Sequence, residues 1–128
     1  MAAIQLWDVY FMANCRLAKP LPKDKYVAIC CFAPNPCGFF INSRINEFIQ
    51  QNPKLLDCET PLTTALHSFL QHDSWLDCRE LLSLREDELT DCRGRLDVSI
   101  VPAVLDAVQK CPVLRPGLKK LILGAMIS

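Results

Sequence analysis

His67 and His72 are the two histidines of the chain, and histidine is the side chain whose ordinary pKa lies nearest neutrality. Either acts as a general acid or base if the fold carries it to a cleft; otherwise it is a solvated loop residue. With Cys58 and Cys78 they spell Cys-x8-His-x4-His-x5-Cys, a looser pattern than the tight ligand pairs of structural zinc sites. Asp73 and Asp77 lie four apart on a presumed strand and so share a face. With no histidine or metal between them they read as turn and edge polar groups, Asp73 holding the turn before Ser74. The chain has eight cysteines and no Cys-x-x-Cys pair, so no metal site is expected. They read as reduced thiols that pack as small hydrophobes. Cys30 and Cys31 sit in a strand-like run, and alternation predicts that they face opposite sides.

A chain of 128 residues with 51% hydrophobic and 22% charged residues fits one domain, 1–128, with enough apolar side chains for a core. Fourteen basic residues balance fourteen acidic ones. Bulk electrostatic binding of long nucleic acid is therefore excluded, and any RNA contact must come from a local patch. The first residues carry no basic lead, and Asp8 interrupts their apolar run, so no signal peptide is expected. No stretch reaches the roughly 18 apolar residues of a membrane span. The expected location is the cytoplasm.

Candidate residues need elements to hold them. Gln5 to Met12 reads as a half-buried strand, and 14–25, with Pro20 and Pro22, as a solvated loop. Tyr26 to Phe32 and Gly38 to Asn42 read as strands around a Pro34-Asn35-Pro36 turn. Ile45, Phe48 and Ile49 carry helical spacing over 44–51, with Ser43 as its cap. Leu55 to Glu59 is a candidate strand, 61–71 is open between helix and packed loop, and Ser74 to Leu84 is another strand. Strands thus fall mostly within 5–84. Beyond 97 the period lengthens: Ile100, Val104, Leu105, Val108 and Cys111 share a helical face over about 98–111. Asp97 or Ser99 caps it, and Pro102 sits in its first turn. A second helix follows over 116–126, with Leu118, Leu121, Ile122 and Ala125 inward and Lys119 and Lys120 outward. Strands first and helices last make an α+β fold.

The string from Asp73 to Val108 resembles the closing segment of PemK/MazF toxins: an aspartate-serine-aromatic strand, a leucine-rich strand, a Gly-x-Leu element (Gly94-Arg95-Leu96) and an amphipathic helix. Trp7-Asp8-Val9-Tyr10 is similar to the family's opening strand, with Trp in place of Gly. Lys25-Tyr26-Val27 stands where the family has an Arg-Pro-apolar strand, and Ser43 where it has a hydroxyl residue. The resemblance implies a small closed β-barrel of the Src-homology-3 type with the C-terminal helices packed on it. It further implies a cofactor-free, metal-independent endoribonuclease that cuts single-stranded RNA, works as a homodimer, and is silenced by an antitoxin protein.

Metal-free cleavage uses the ribose 2′-hydroxyl as nucleophile. It needs a base for that hydroxyl, an acid for the leaving 5′-oxygen, and cations for the phosphoryl oxygens. Lys25, Ser43 and Arg44 are the candidate catalytic residues. Lys25 keeps the charge of the family's arginine but loses its planar fork; Arg44 would compensate, and Ser43 would bond phosphate. Arg93 and Arg95, flanking Gly94 in an expected loop, are candidate binding residues. Two function classes stay open: a ribonuclease toxin, and a catalytically degenerate barrel that binds a protein or peptide.

Overall fold

The computed structural model describes residues 3–127, and at its end the side chains of Met126 and Ile127 lie outside the description. That leaves part of the apolar tail, Leu121 to Ile127, and the first two residues of the N-terminus undescribed. Six strands form one antiparallel sheet in the order β4-β5-β3-β2-β1-β6: β1 (Asp8–Cys15), β2 (Lys23–Phe32), β3 (Pro36–Asn42), β4 (Glu59–Leu62), β5 (Ser74–Ser83) and β6 (Cys92–Arg95). Two one-turn helices, α1 (Glu47–Gln50) and α2 (Pro53–Leu56), link β3 to β4, and α3 (Val101–Lys110) and α4 (Pro116–Ile127) end the chain. The α+β order and both terminal helices match the sequence reading.

Several boundaries move, each for a local reason. The first strand is displaced from 5–12 to Asp8–Cys15, because Trp7 turns the chain at φ 72°, a conformation open to glycine and strained for a large side chain. Lys23 and Lys25 belong to β2 rather than to a loop; Pro20 and Pro22 lie before the strand, where they break no ladder. Pro53 opens α2 at its first position, so the strand expected over 55–59 begins only at Glu59. The first helix starts at Glu47, capped by the Asn46 side chain accepting from Ile49 N at 2.9 Å; Ser43 caps nothing there. Arg93 and Arg95 lie in strand β6, paired with β1, and not in a loop.

The sheet carries a core on each face. One unites Val9, Phe39, Leu62 and Leu76 with Val104, Val108 and Ile122 of the terminal helices. The other gathers Tyr10, Met12, Val27, Ile29, Leu82 and Leu84. Irregular register lets the sheet curl between them. Gly38 pairs with Leu82 but Phe40 with Asp77, so β5 spends five residues where β3 spends two. A second shift between Ile29 and Cys31 inserts one residue into β2 and brings Cys30 and Cys31 into the same helix-side core, against the opposite facing that alternation predicts. Seven of the cysteines are buried free thiols and Cys92 is exposed.

The curled sheet is a half-barrel whose outer strands, β4 and β6, are bridged by side chains. The 63–73 connection crosses the gap. His67, 1% exposed, meets the Thr63 carbonyl through Nδ1 and accepts from Asp97 N–H through Nε2, both at 3.0 Å. Phe69 covers Gly94, where a Cβ would stand 2.7 Å from its ring. His67 is thus a buried fastener rather than a solvated residue. Asp73 accepts from Thr64 N at 2.9 Å and ties the ends of the connection. At the helices, Asp97 caps the 3₁₀ turn leading into α3, and Lys119 donates to the Gln109 carbonyl at 2.9 Å instead of pointing free.

Gly38 marks the tightest approach in the sheet: a Cβ there would lie 2.4 Å from the Ala28 carbonyl oxygen, a backbone atom with no room to retreat. Gly38→Ala is expected to lower unfolding free energy by about 1–3 kcal/mol, read as a reduced urea midpoint; an unchanged midpoint would contradict this register.

Candidate functional site

Strand parity places one polar row across the face of the sheet away from the terminal helices. On β5, Leu76 and Cys78 point to the helix-side core, so Asp77 and Arg79 point the other way. By the same alternation Glu59 leaves Cys58 and Leu62 behind it on β4. Lys25 shares the face of Val27 on β2, and Phe40 and Asn42 share theirs on β3. Register then aligns them: Glu59 pairs with Asp77, and Asp77 with Phe40.

These groups line an open groove of about 860 Å³, together with Ser43, Arg44 and His72. Of the residues singled out in the sequence, Lys25, Ser43 and Arg44 therefore meet in one concavity. Arg93 and Arg95 do not. Arg93 pairs with Asp91 at 2.8 Å and lies over the Phe11 ring, 4.7 Å from its centroid. Arg95 binds Asp8 and the Leu6 carbonyl. Cys58, His67, His72 and Cys78 do not converge, and no metal-binding cluster of His, Cys, Asp or Glu occurs among the described residues.

The groove is wired by hydrogen bonds. The Lys25 ammonium donates to Asn42 Oδ1 and sits 4.8 Å above the Phe40 ring centroid. Asn42 Nδ2 reaches Asp77 at 3.5 Å. Asp77 accepts two parallel bonds from Arg79, Nε to Oδ1 and Nη2 to Oδ2, both at 2.9 Å. Asp77 is buried beneath its partner, and since β5 runs between β3 and β4 it is no edge group. That corrects the sequence reading, which lacked the strand order.

Burial sets the protonation pattern. It lowers the Lys25 pKa, with Lys23 adding to the effect and Asp77 opposing it. Glu59 is the stronger case: burial first, and then the facing Asp77 carboxylate, push it up to about 8, against the pull of Arg79. Its Oε2 is buried without a hydrogen-bond partner. Arg79, Asn42 and Glu59 all escaped the sequence reading. The signal for Arg79 was in hand, since it shares parity with Asp77; Glu59 needed the cross-strand register.

Because Glu59 holds its proton more tightly folded than unfolded, the folded state binds the extra proton between the ordinary glutamate range and about pH 8. Stability must fall as pH rises through that window. Urea midpoints measured from pH 5 to pH 9 should decline more steeply for wild type than for Glu59→Gln; parallel curves would show that Glu59 is not perturbed.

No protein-family model matches the chain, and no curated protein matches its sequence. Its fold does match solved structures. The Mycobacterium tuberculosis toxin MazF-mt6 superposes with a TM-score of 0.61 at 18% identity, over 84% of this chain and 98% of that one. The half-barrel with its C-terminal helices is a PemK/MazF-like fold carried by a diverged sequence.

Proposed function

We propose that the protein is a metal-independent endoribonuclease that cuts single-stranded RNA in the groove on the sheet face away from the terminal helices. The observation that carries this reading is the meeting of Lys25, Ser43, Arg44, Arg79 and His72 in one open groove on a toxin-type fold. The family's arginine is replaced by Lys25, yet a guanidinium still reaches the groove from β5. Arg79 uses Nε and Nη2 on Asp77, which holds the planar group still and leaves Nη1 to donate to a phosphoryl oxygen. Lys25 adds a second cation, Ser43 and Arg44 bond the flanking phosphate, and His72 takes the proton of the attacking 2′-hydroxyl. On this reading the protein acts in the cytoplasm as a homodimer, and an antitoxin peptide silences it by filling the same groove. Among the described residues no helix is long and apolar enough to cross a membrane.

A second reading, a catalytically degenerate barrel that binds a protein or peptide, is favoured by one observation: Arg79 already spends two donors on Asp77 at rest. The two readings separate in one assay. Purified protein in excess chelator should cleave single-stranded RNA to 2′,3′-cyclic phosphate and 5′-hydroxyl ends. Arg79→Lys and Lys25→Ala should each lower kcat/KM by about 10²–10³. No cleavage by wild type would overturn the nuclease and leave the binding module; cleavage with rates unchanged in both variants would overturn the roles of Arg79 and Lys25.

A further inference from the structure

A nuclease groove with a base for the 2′-hydroxyl still needs a proton for the departing 5′-oxygen. An arginine cannot give one up near neutrality, and Ser43 is too weak an acid. One side chain in the groove is placed for the task by the sheet itself. Glu59 lies directly across from Asp77 in the β4–β5 ladder, and the two carboxyl groups share the groove. Arg79 serves only one of them, through its two bonds to Asp77. Asp77 has the guanidinium as its partner, whereas Glu59 Oε2 is buried with no hydrogen-bond partner, an environment that favours the neutral acid.

We propose that Glu59 is the general acid of this groove, a neutral carboxylic acid that protonates the 5′-oxygen as the phosphodiester breaks. This role rests on the nuclease reading. In the step, His72 takes the 2′-hydroxyl proton, the 2′-oxygen bonds to phosphorus, and the bond from phosphorus to the 5′-oxygen breaks. The leaving oxygen takes the proton of Glu59. The products are a 2′,3′-cyclic phosphate and a 5′-hydroxyl, with Glu59 left as carboxylate and His72 as imidazolium; water carries the proton back between them.

The groups around Glu59 favour the neutral form. From β5, Asp77 opposes its ionisation and Arg79 draws it the other way. Behind the strand lie the thiols of Cys58 and Cys78, both pushed up by burial, and Cys111, just after α3, stands beside Cys58. Lys25, His72 and Glu80 line the groove with it. Burial dominates the balance, and the Glu59 pKa of about 8 keeps the acid loaded at neutral pH.

The test is a pH–rate profile of RNA cleavage by wild type, Glu59→Gln and Glu59→Asp, with melting curves to establish that each is folded. Wild type should lose activity on the alkaline side as Glu59 ionises. Glu59→Gln should fall by about 10²-fold or more and lose the alkaline limb, with Glu59→Asp between them. A substrate carrying sulfur in place of the 5′-oxygen leaves as a thiolate and needs no proton; it should restore Glu59→Gln to within about tenfold of wild type. A merely structural glutamate would not show that rescue. Cleavage by Glu59→Gln at the wild-type rate, with its alkaline limb intact, would overturn the acid role and spare the nuclease. Absence of cleavage by wild type would overturn both. Titration of the Glu59 carboxyl carbon by NMR gives an activity-free reading: a midpoint in the ordinary glutamate range would also overturn the role.

Discussion

Asp77 is a charged group in the middle of a sheet, with β4 on one side and β3 on the other, and the groove is organised around it. A carboxylate taken out of water loses several kcal/mol of hydration unless its oxygens are met. Arg79 meets both in a planar fork, and the Arg79 backbone N–H adds a third bond at 3.1 Å. Residues i and i+2 of one strand thus supply charge and countercharge on one face. Everything near by responds. Asn42 orients its amide between Asp77 and Lys25, burial and Asp77 push the Glu59 pKa up, and the guanidinium is fixed with Nη1 left outside the pair. Without Arg79, Asp77 would stand as an uncompensated buried charge.

That arrangement depends on a sheet with two working faces. The terminal helices cover one, so the polar row can occupy the other without competing for the same burial. The register break in β5 divides the strand: Leu76 and Cys78 serve the helix-side core, while Leu82 and Leu84 serve the opposite one. Asp77 is the last β5 residue in register before the break and Arg79 falls within it, both lining the groove. His67 and Phe69 hold the outer strands where no backbone ladder does, and the same connection delivers His72 to the groove.

Much of the fold was legible because periodicity is local. The change from period two to period 3.6 near residue 97 located both terminal helices, and the run from Ser74 located β5. The boundaries failed where a single residue's role depends on something distant. Trp7 opens β1 in a conformation glycine adopts freely, and the family it resembles has glycine there. Cys30 and Cys31 share a core because of a bulge, which alternation cannot anticipate. For the site, Lys25, Ser43 and Arg44 were found through resemblance. Asp77 reads as an edge polar group when only a histidine or metal is sought beside it, although Arg79 stands two residues on. Glu59 owes its protonation to cross-strand register and burial, which no linear pattern encodes.

The central proposal is that RNA is held by Lys25, Ser43, Arg44 and Arg79 in the groove on the sheet face away from the terminal helices. A short single-stranded RNA with 2′-O-methyl groups cannot be cleaved through its own hydroxyl, so it reports binding alone. Titrated into isotopically labelled protein, it should shift the NMR signals of those four residues together, and the shifts should weaken as salt rises. Shifts confined to the α3 and α4 face, or no shift at millimolar RNA, would contradict the account.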